Sequence, residues 1–349
     1  MNSNKLTIGL LAGSLQGAGA EKTILTLADF LVRDGCDVNL FLLGEGADYK
    51  VRDGITIIRL DGKHRKDKQE QLATLTNQTH YDLFITSRPD YYSFITAEHK
   101  FISVHITPYS WLMNEKKSLL SRYLKLLRIR KKYKNRKLIA LSQGIKDELI
   151  SHLGCHSSSI TVINNPFDIE RIHNEADKTG PLPEKDYIIY VAALIPRKRH
   201  SDLLKAFKKL DSSLDLVLVG KGPCEQELKL LAKQLNISDR VIFWGWDKNP
   251  YRLIRQAKLS VLTSEAEGLP RTLIESLLIG TRTVSTDCPS GPNEVLIGPF
   301  SRYLIPVGDV EKLSQVMQSA LTEYPDIKQL NLDRFSGENV ANRFLNLVN

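Results

Sequence analysis

What most constrains this chain is a regular alternation of short, continuously apolar runs with stretches of helical period. The runs "LTIGLLAG" (6–13), "DVNLFLL" (37–43), "YDLFITS" (81–87), "FISVHIT" (101–107) and "KLIALS" (137–142) form one series. A second series contains "DYIIYVAAL" (186–194), "LDLVLVG" (214–220), "VIFWG" (241–245), "LSVLTS" (259–264) and "TRTVSTD" (281–287). These runs are apolar throughout rather than at every second residue, so each strand is covered on both faces. That is the signature of a parallel sheet flanked by helices. Between them lie helical patterns such as "AEKTILTLADFLVRDG" (20–35), with Ile24, Leu27, Ala28 and Leu31 on one face and Gly35 at the end. "HSDLLKAFKKL" (200–210) and "ELKLLAKQL" (227–235) read the same way. The expectation is an α/β chain with two doubly wound sheets.

A length of 349 residues also favours two domains. The break falls between 165 and 185, where Asn164, Asn165, Pro166, Gly180, Pro181 and Pro183 cluster. The expected division is 1–168, 169–330 and a C-terminal helix, 331–349, able to cross back to the first domain. Two such domains create a cleft between their strand carboxyl ends, where ligands of open α/β sheets bind. No internal repeat or low-complexity segment is visible.

No stretch approaches 18 consecutive apolar residues, so no membrane-spanning helix is expected. The opening "MNSNKLTIGLLAG" reads as a first strand and not a signal peptide. Cys36, Cys155, Cys224 and Cys288 show no C-x-x-C spacing, which fits a reducing cytoplasm without structural zinc. The net charge of +8 is local: "KKSLLSRYLKLLRIRKKYKNRK" (116–137) holds eleven Lys or Arg and no acid. Without it the chain is slightly acidic. Leu120, Leu124 and Leu127 recur at helical spacing, as do Leu119, Tyr123 and Leu126. A basic amphipathic helix of this kind suits an anionic membrane surface. A solvated surface helix with its apolar side in the core is the plainer alternative. Nucleic acid is not expected, because no nucleic-acid motif accompanies the charge.

Two motifs carry chemistry. "GSLQGAGAEK" (13–22) follows a strand and opens a helix, so its backbone N–H groups and the helix start suit a phosphate. It is not G-x-G-x-x-G, and a tight turn alone would also explain it. "SEAEGLPRTLIESLLIG" (264–280) sets Glu267 in a loop and Glu275 within a helix whose buried stripe is Leu273, Ile274, Leu277 and Leu278. The helix rises about 1.5 Å per residue, so the two carboxylates lie too far apart to share a proton or a metal. They read instead as two hydroxyl acceptors on either side of the N–H groups at Gly268 and its neighbours. That arrangement suits a nucleotide sugar.

The block from Glu267 to Glu275 matches the E-x7-E motif of the family 4 retaining glycosyltransferases, which have the GT-B fold of two Rossmann-like domains. The likeness extends through "LTSEAEGLPRTLIESLLIGTRTVSTDCPSGPNEVL". "GAEK" (19–22) resembles that family's glycine loop, "SVHIT" its histidine strand, "ITVINNPFDIE" its interdomain link and "LVLVGKGPCEQELKLLAKQLNISDRVIFWGW" its strand–helix–strand. Residues 45–80 and 108–135 match only loosely. The resemblance implies that Glu275 holds ribose hydroxyls and that Glu267 holds hydroxyls of the donor sugar, with the N–H groups of Gly268 and Leu269 nearby. Gly17 and Gly19 lie in the loop that meets the distal phosphate. His105 sits beside the transferred sugar, although a lone strand histidine is more often a core residue. Gly245, between Trp244 and Trp246, stands where the family's loop borders the nucleotide base; both tryptophans could equally be core.

One departure matters. The family often carries G-R-L-x-x-x-K-G after the first strand of its second domain, whereas this chain reads "VAALIPRKRH". Ala192 and Ala193 replace Gly-Arg, and Lys198 falls at the lysine. Negative charge builds on the leaving phosphate, so a cation there is valuable. Arg197 or Arg199 is expected to compensate. His152 and His156 have metal-like spacing but no further ligands beside them, and no D-x-D occurs, so neither metal nor cofactor is expected.

The resulting expectation is a cytoplasmic transferase peripheral to the inner face of the membrane. It moves a hexose or N-acetylhexosamine from a UDP-linked donor to a lipid-linked glycan acceptor of lipopolysaccharide or another surface polysaccharide. Glu267, His105 and Lys198 are its expected catalytic residues. A UDP-sugar epimerase of the same fold, an oxidoreductase resting on the glycine loop and a catalytically weak membrane-bound adaptor are the rivals.

Overall fold

The computed structural model describes residues 5–15, 19–46, 51–113 and 118–348. The chain forms two compact units, Met1–Asp168 with Asp333–Asn349, and Ile169–Leu332. Gly17, Lys116 and Lys117 lie outside the described residues.

The first unit runs β1 (Thr7–Ala12), α1 (Gly19–Arg33), β2 (Asp37–Leu42), β3 (Ile55–Arg59), α2 (Arg65–Gln78), β4 (Leu83–Thr86) and β5 (His99–Val104). It continues through α3 (Pro108–Met113), α4 (Leu119–Tyr133), β6 (Leu138–Ala140), α5 (Gln143–Ser151) and β7 (Ile160–Val162). All seven strands are parallel, in the order β3-β2-β1-β4-β5-β6-β7. Ile8, Leu10 and Leu11 on β1 are fully buried, so both faces of the central strand are covered, as its continuous apolar run requires. β3 and α2 lie in the region where the sequence offers little pattern: β3 is an edge strand with exposed residues, and α2 buries only Leu72 and Thr76.

The second unit runs α6 (Ile169–Ala176), β8 (Tyr187–Val191), α7 (His200–Lys209), β9 (Asp215–Val219), α8 (Glu225–Gln234) and β10 (Val241–Gly245). After these come α9 (Tyr251–Gln256), β11 (Leu259–Leu262), α10 (Arg271–Ile279), β12 (Thr283–Thr286), α11 (Pro292–Val295), β13 (Leu304–Ile305) and α12 (Val310–Thr322). Its six strands are also parallel, ordered β10-β9-β8-β11-β12-β13. In each sheet the strand order reverses beside the first strand, between β1 and β4 and between β8 and β11. Ligands of doubly wound sheets bind outside the carboxyl ends at such a reversal.

The last helix, α13 (Gly337–Leu345), belongs to the first unit. Val340, Ala341 and Phe344 join the core built by α1, β1 and β2. Gly337 lies so close to Phe30 that a Cβ there would fall 1.9 Å from the ring.

Candidate active site

The site of the second unit is built at the reversal, from the loops that follow β8 and β11. Backbone and buried hydroxyl groups lock these loops together. The Glu265 N–H donates to the Arg197 carbonyl at 3.0 Å. The Lys198 carbonyl accepts from the Thr263 hydroxyl at 2.9 Å and from the Tyr190 hydroxyl at 3.1 Å. Thus "IPRKRH" and "SEAEGLP", about 70 residues apart in sequence, form one surface.

On that surface the Lys198 ammonium is hydrogen-bonded to Glu267 Oε1, with the two side chains 16% and 14% exposed. A mostly desolvated ion pair is stronger than one in water and fixes both ends. Glu275 lies on α10 and is buried. Its Oε1 accepts from the Tyr251 hydroxyl at 3.0 Å and from Arg271 at 3.3 Å. Burial, together with the Glu275 charge, pushes the Tyr251 hydroxyl well above its ordinary pKa, so it remains a donor. The two glutamates therefore have separate partners and separate surroundings.

Behind Gly268 and Leu269 packs the loop after β12. Ser290 Oγ donates to the Gly268 carbonyl at 2.9 Å. Gly291 has φ +96°, and a Cβ there would lie 2.6 Å from Pro270 and 2.8 Å from the Gly268 carbonyl. This backing by Ser290 and Gly291 was not anticipated from the sequence; the P-S-G turn signal at 289–291 was its trace.

The three consecutive cations have different environments. Arg199 is in the left-handed region (φ 48°), with its Nε 2.6 Å from Asp202 and a further nitrogen 3.6 Å from Glu265. Lys198 holds Glu267. Arg197 Nε is buried without a hydrogen-bond partner among the described residues. Next to them His200 is buried, with both ring nitrogens unpartnered among the described residues, and its ring lies 4.6 Å from that of Tyr190. Burial and the neighbouring Lys198 charge lower its pKa to about 4. No sequence pattern pointed to His200.

Gly245 ends β10 and its carbonyl accepts the Gly220 N–H at 2.8 Å. The flanking tryptophans differ: Trp244 donates from Nε1 to Asp247 at 2.9 Å, while Trp246 is 52% exposed. In the first unit, His105 follows the end of β5; the run read as a strand to 107 pairs only as far as Val104. Gly19 opens α1, and its carbonyl accepts the Thr23 hydroxyl at 2.9 Å. His152 stacks on Tyr109, and His156 Nδ1 lies 2.7 Å from the Ser158 hydroxyl.

Known proteins resemble both units. The model of "Glycosyltransferase Family 4" matches residues 17–171, and that of "Glycosyl transferases group 1" matches residues 172–334. Among curated relatives, the lipopolysaccharide 1,6-galactosyltransferase of Escherichia coli K12 is 33% identical over 49% of this chain and 48% of its own length. A Campylobacter jejuni enzyme is 29% identical over 52% of this chain and 50% of its own. It is the N-acetylgalactosamine-N,N'-diacetylbacillosaminyl-diphospho-undecaprenol 4-alpha-N-acetylgalactosaminyltransferase. The chain thus spans about half the length of the curated relatives it matches. Two solved structures share the fold over 98% of this chain. They are a lipopolysaccharide outer core galactosyltransferase in its apo form (TM-score 0.72, 21% identity, 99% of that chain) and an Anabaena protein in complex with UDP-glucose (TM-score 0.71, 17% identity, 97% of that chain). With the two models covering nearly the whole chain in succession, and two parallel-sheet units to match, this chain belongs to the family 4 glycosyltransferases of GT-B fold.

Proposed function

We propose that the chain transfers a hexose or N-acetylhexosamine, with retention of configuration, from a UDP-linked donor to a lipid-linked glycan acceptor of lipopolysaccharide or a related surface polysaccharide. The observation that carries this reading is the Lys198–Glu267 pair at the strand reversal, with Glu275 buried on the helix that follows. UDP-glucose is bound by one solved protein of this fold, and lipopolysaccharide and undecaprenyl-linked glycans appear in the names of the relatives.

In this reading Glu275 takes the ribose hydroxyls and Glu267 the hydroxyls of the sugar. The N–H groups of Gly268 and Leu269, and the glycine loop at Gly19, approach the phosphates. Lys198 exchanges Glu267 for the diphosphate as charge develops on the leaving oxygen, where a fixed cation lowers the barrier most. Arg197 supplies the second cation in place of the arginine missing at Ala193, because Arg199 is already committed to Asp202 and Glu265. The bond from the anomeric carbon to the phosphate oxygen breaks as the acceptor oxygen attacks from the same face. The departing phosphate takes the acceptor's proton. His105 lies beside the transferred sugar, and Trp246 is an exposed face for the base beside Gly245. No metal or further cofactor enters these steps.

Acceptor access involves α4. This 15-residue helix buries no residue, and Leu119, Leu120, Tyr123, Leu124 and Leu127 face solvent, with Leu119 82% exposed. Leu126, Ile129 and Tyr133 are turned partly inward. An outward apolar arc amid cations suits the inner, anionic face of the cytoplasmic membrane better than water. The test is a thermal-shift screen of UDP and UDP-sugars, followed by UDP release in the presence of membrane glycolipid. Stabilisation by UDP with acceptor-dependent release is expected. Absence of nucleotide binding defeats the reading, and binding without release favours an adaptor.

A further inference from the structure

Glu148 is the buried carboxylate of the first unit that the reading above leaves unused. It lies on α5 and is 7% exposed. Its two oxygens accept from the first turn of α3: the Tyr109 N–H at 2.6 Å, the Ser110 N–H at 3.0 Å and the Ser110 hydroxyl. A buried carboxylate without partners is costly, whereas one facing the N–H groups at a helix start is well placed. One turn along α5, the His152 ring stacks on Tyr109 with centroids 3.9 Å apart and 6° between planes. The His152 carbonyl in turn accepts two hydrogen bonds from Arg130 of α4, at 3.1 and 3.0 Å. Lys125 of α4 lies 4.5 Å over the Trp111 ring of α3. The three helices are thus tied to one another around Glu148.

What this block holds is the exit of β5. His105, Ile106 and Thr107 join Val104 to Pro108, and Thr107 is buried with its carbonyl accepting the Trp111 N–H at 2.9 Å. His105 therefore stands just before α3, whose first residue is Pro108 and whose pinned N–H groups are those of Tyr109 and Ser110.

We propose that Glu148 is a positioning residue for transfer: through α3 it fixes His105, while leaving nucleotide binding to the second unit untouched. This rests on the proposed transferase activity. It assigns to α5 a part in catalysis that neither E-x7-E nor the glycine loop reveals.

The test compares full-length wild type with Glu148→Gln, His105→Ala and the double variant. UDP affinity, kcat and the KM for each substrate are measured, with melting as a control. Gln keeps the shape but lacks the charge and one acceptor oxygen, so α3 loosens without a cavity. Expected for Glu148→Gln is UDP affinity within about twofold and turnover lowered about tenfold. The double variant should be no slower than His105→Ala alone, because both changes act through one group. Wild-type turnover by Glu148→Gln, or losses that multiply in the double variant, overturn the proposal while leaving the transferase reading intact. A wild-type chain that binds no UDP and transfers no sugar overturns both. If Glu148→Gln melts too low to assay, Ser110→Ala, which removes one donor, takes its place under the same criteria.

Discussion

Glu267 and Glu275 look alike in sequence and take different partners in the fold. Glu267 reaches out of a loop to a lysine, while Glu275 is enclosed by Tyr251 and Arg271. Glu275→Gln is expected to weaken UDP binding about tenfold, the effect of losing one charge-assisted hydrogen bond, measurable by calorimetry; unchanged affinity removes ribose from its role. Lys198→Ala should lower kcat on the order of 100-fold, as loss of a fixed charge at a developing anion does. Arg197→Ala should share that direction, whereas Arg199→Ala should act mainly on melting, through Asp202 and Glu265. Equal kinetic losses at 197 and 199 would contradict that division. His200 gives a pH signature. Its folded pKa of about 4 lies below the ordinary 6.5, so between these values the unfolded chain holds a proton that the folded chain lacks. Stability is then complete above pH 6.5 and falls as pH drops towards 4, by roughly 3 kcal/mol. His200→Phe should flatten urea midpoints across that window; an unchanged slope would show the acid sensitivity to arise elsewhere. The E-x7-E pair was legible in sequence because one loop and one helix contain it. Ser290, Gly291 and His200 were not, since their meaning comes from contacts across loops.

At the scale of elements, continuous apolar runs identified β1, β2, β4 to β6 and β8 to β12, where helices cover the sheet faces. β3 and α2 escaped for the converse reason: an edge strand and a nearly all-exposed helix bury too little to leave a period in the sequence. α4 shows a subtler limit. Its two apolar sets, read along the sequence, could each have faced the core, and sequence alone could not choose between membrane and interior. The fold turns Leu126, Ile129 and Tyr133 partly inward and docks the helix through Lys132 on Asp90, at 3.1 Å, and through Arg130 on the His152 carbonyl. Outward Leu120 and Leu124, 69% and 48% exposed, thus contribute little to packing. Replacing both with glutamate should leave the melting temperature within about 2 °C, since exposed substitutions change stability little. The same change should abolish sedimentation with vesicles containing anionic phospholipid. A large drop in melting temperature would mean that this face is covered by protein, and retained sedimentation would place membrane contact elsewhere.

At the scale of the whole molecule, the chain leaves its first unit at Asp168 and returns to it at Asp333. The return is anchored by backbone: the Phe167 N–H donates to the Phe335 carbonyl at 2.8 Å, and the Gly337 N–H to the Phe167 carbonyl at 2.8 Å. Phe167 and Phe335 meet edge to face, with ring centroids 6.2 Å apart. Arg343 donates to the Val162 carbonyl. The tail was expected as a helix able to cross back to the first unit; what seats it there includes Phe30 of α1, against which Gly337 packs, a pairing that no local pattern encodes. The arrangement makes the first unit's stability depend on the segment that returns to it from Asp333. Phe344 is 3% exposed within the core of α1, β1 and β2. Phe344→Ala should cost about 3–5 kcal/mol, the transfer and cavity terms of a buried aromatic. That loss belongs to the first unit alone. Calorimetry should therefore resolve one transition moved down by several degrees and a second, raised by UDP, left where it was. Equal shifts of both would show that the units unfold as one body, and a shift confined to the UDP-sensitive transition would assign the tail's anchorage to the second unit instead.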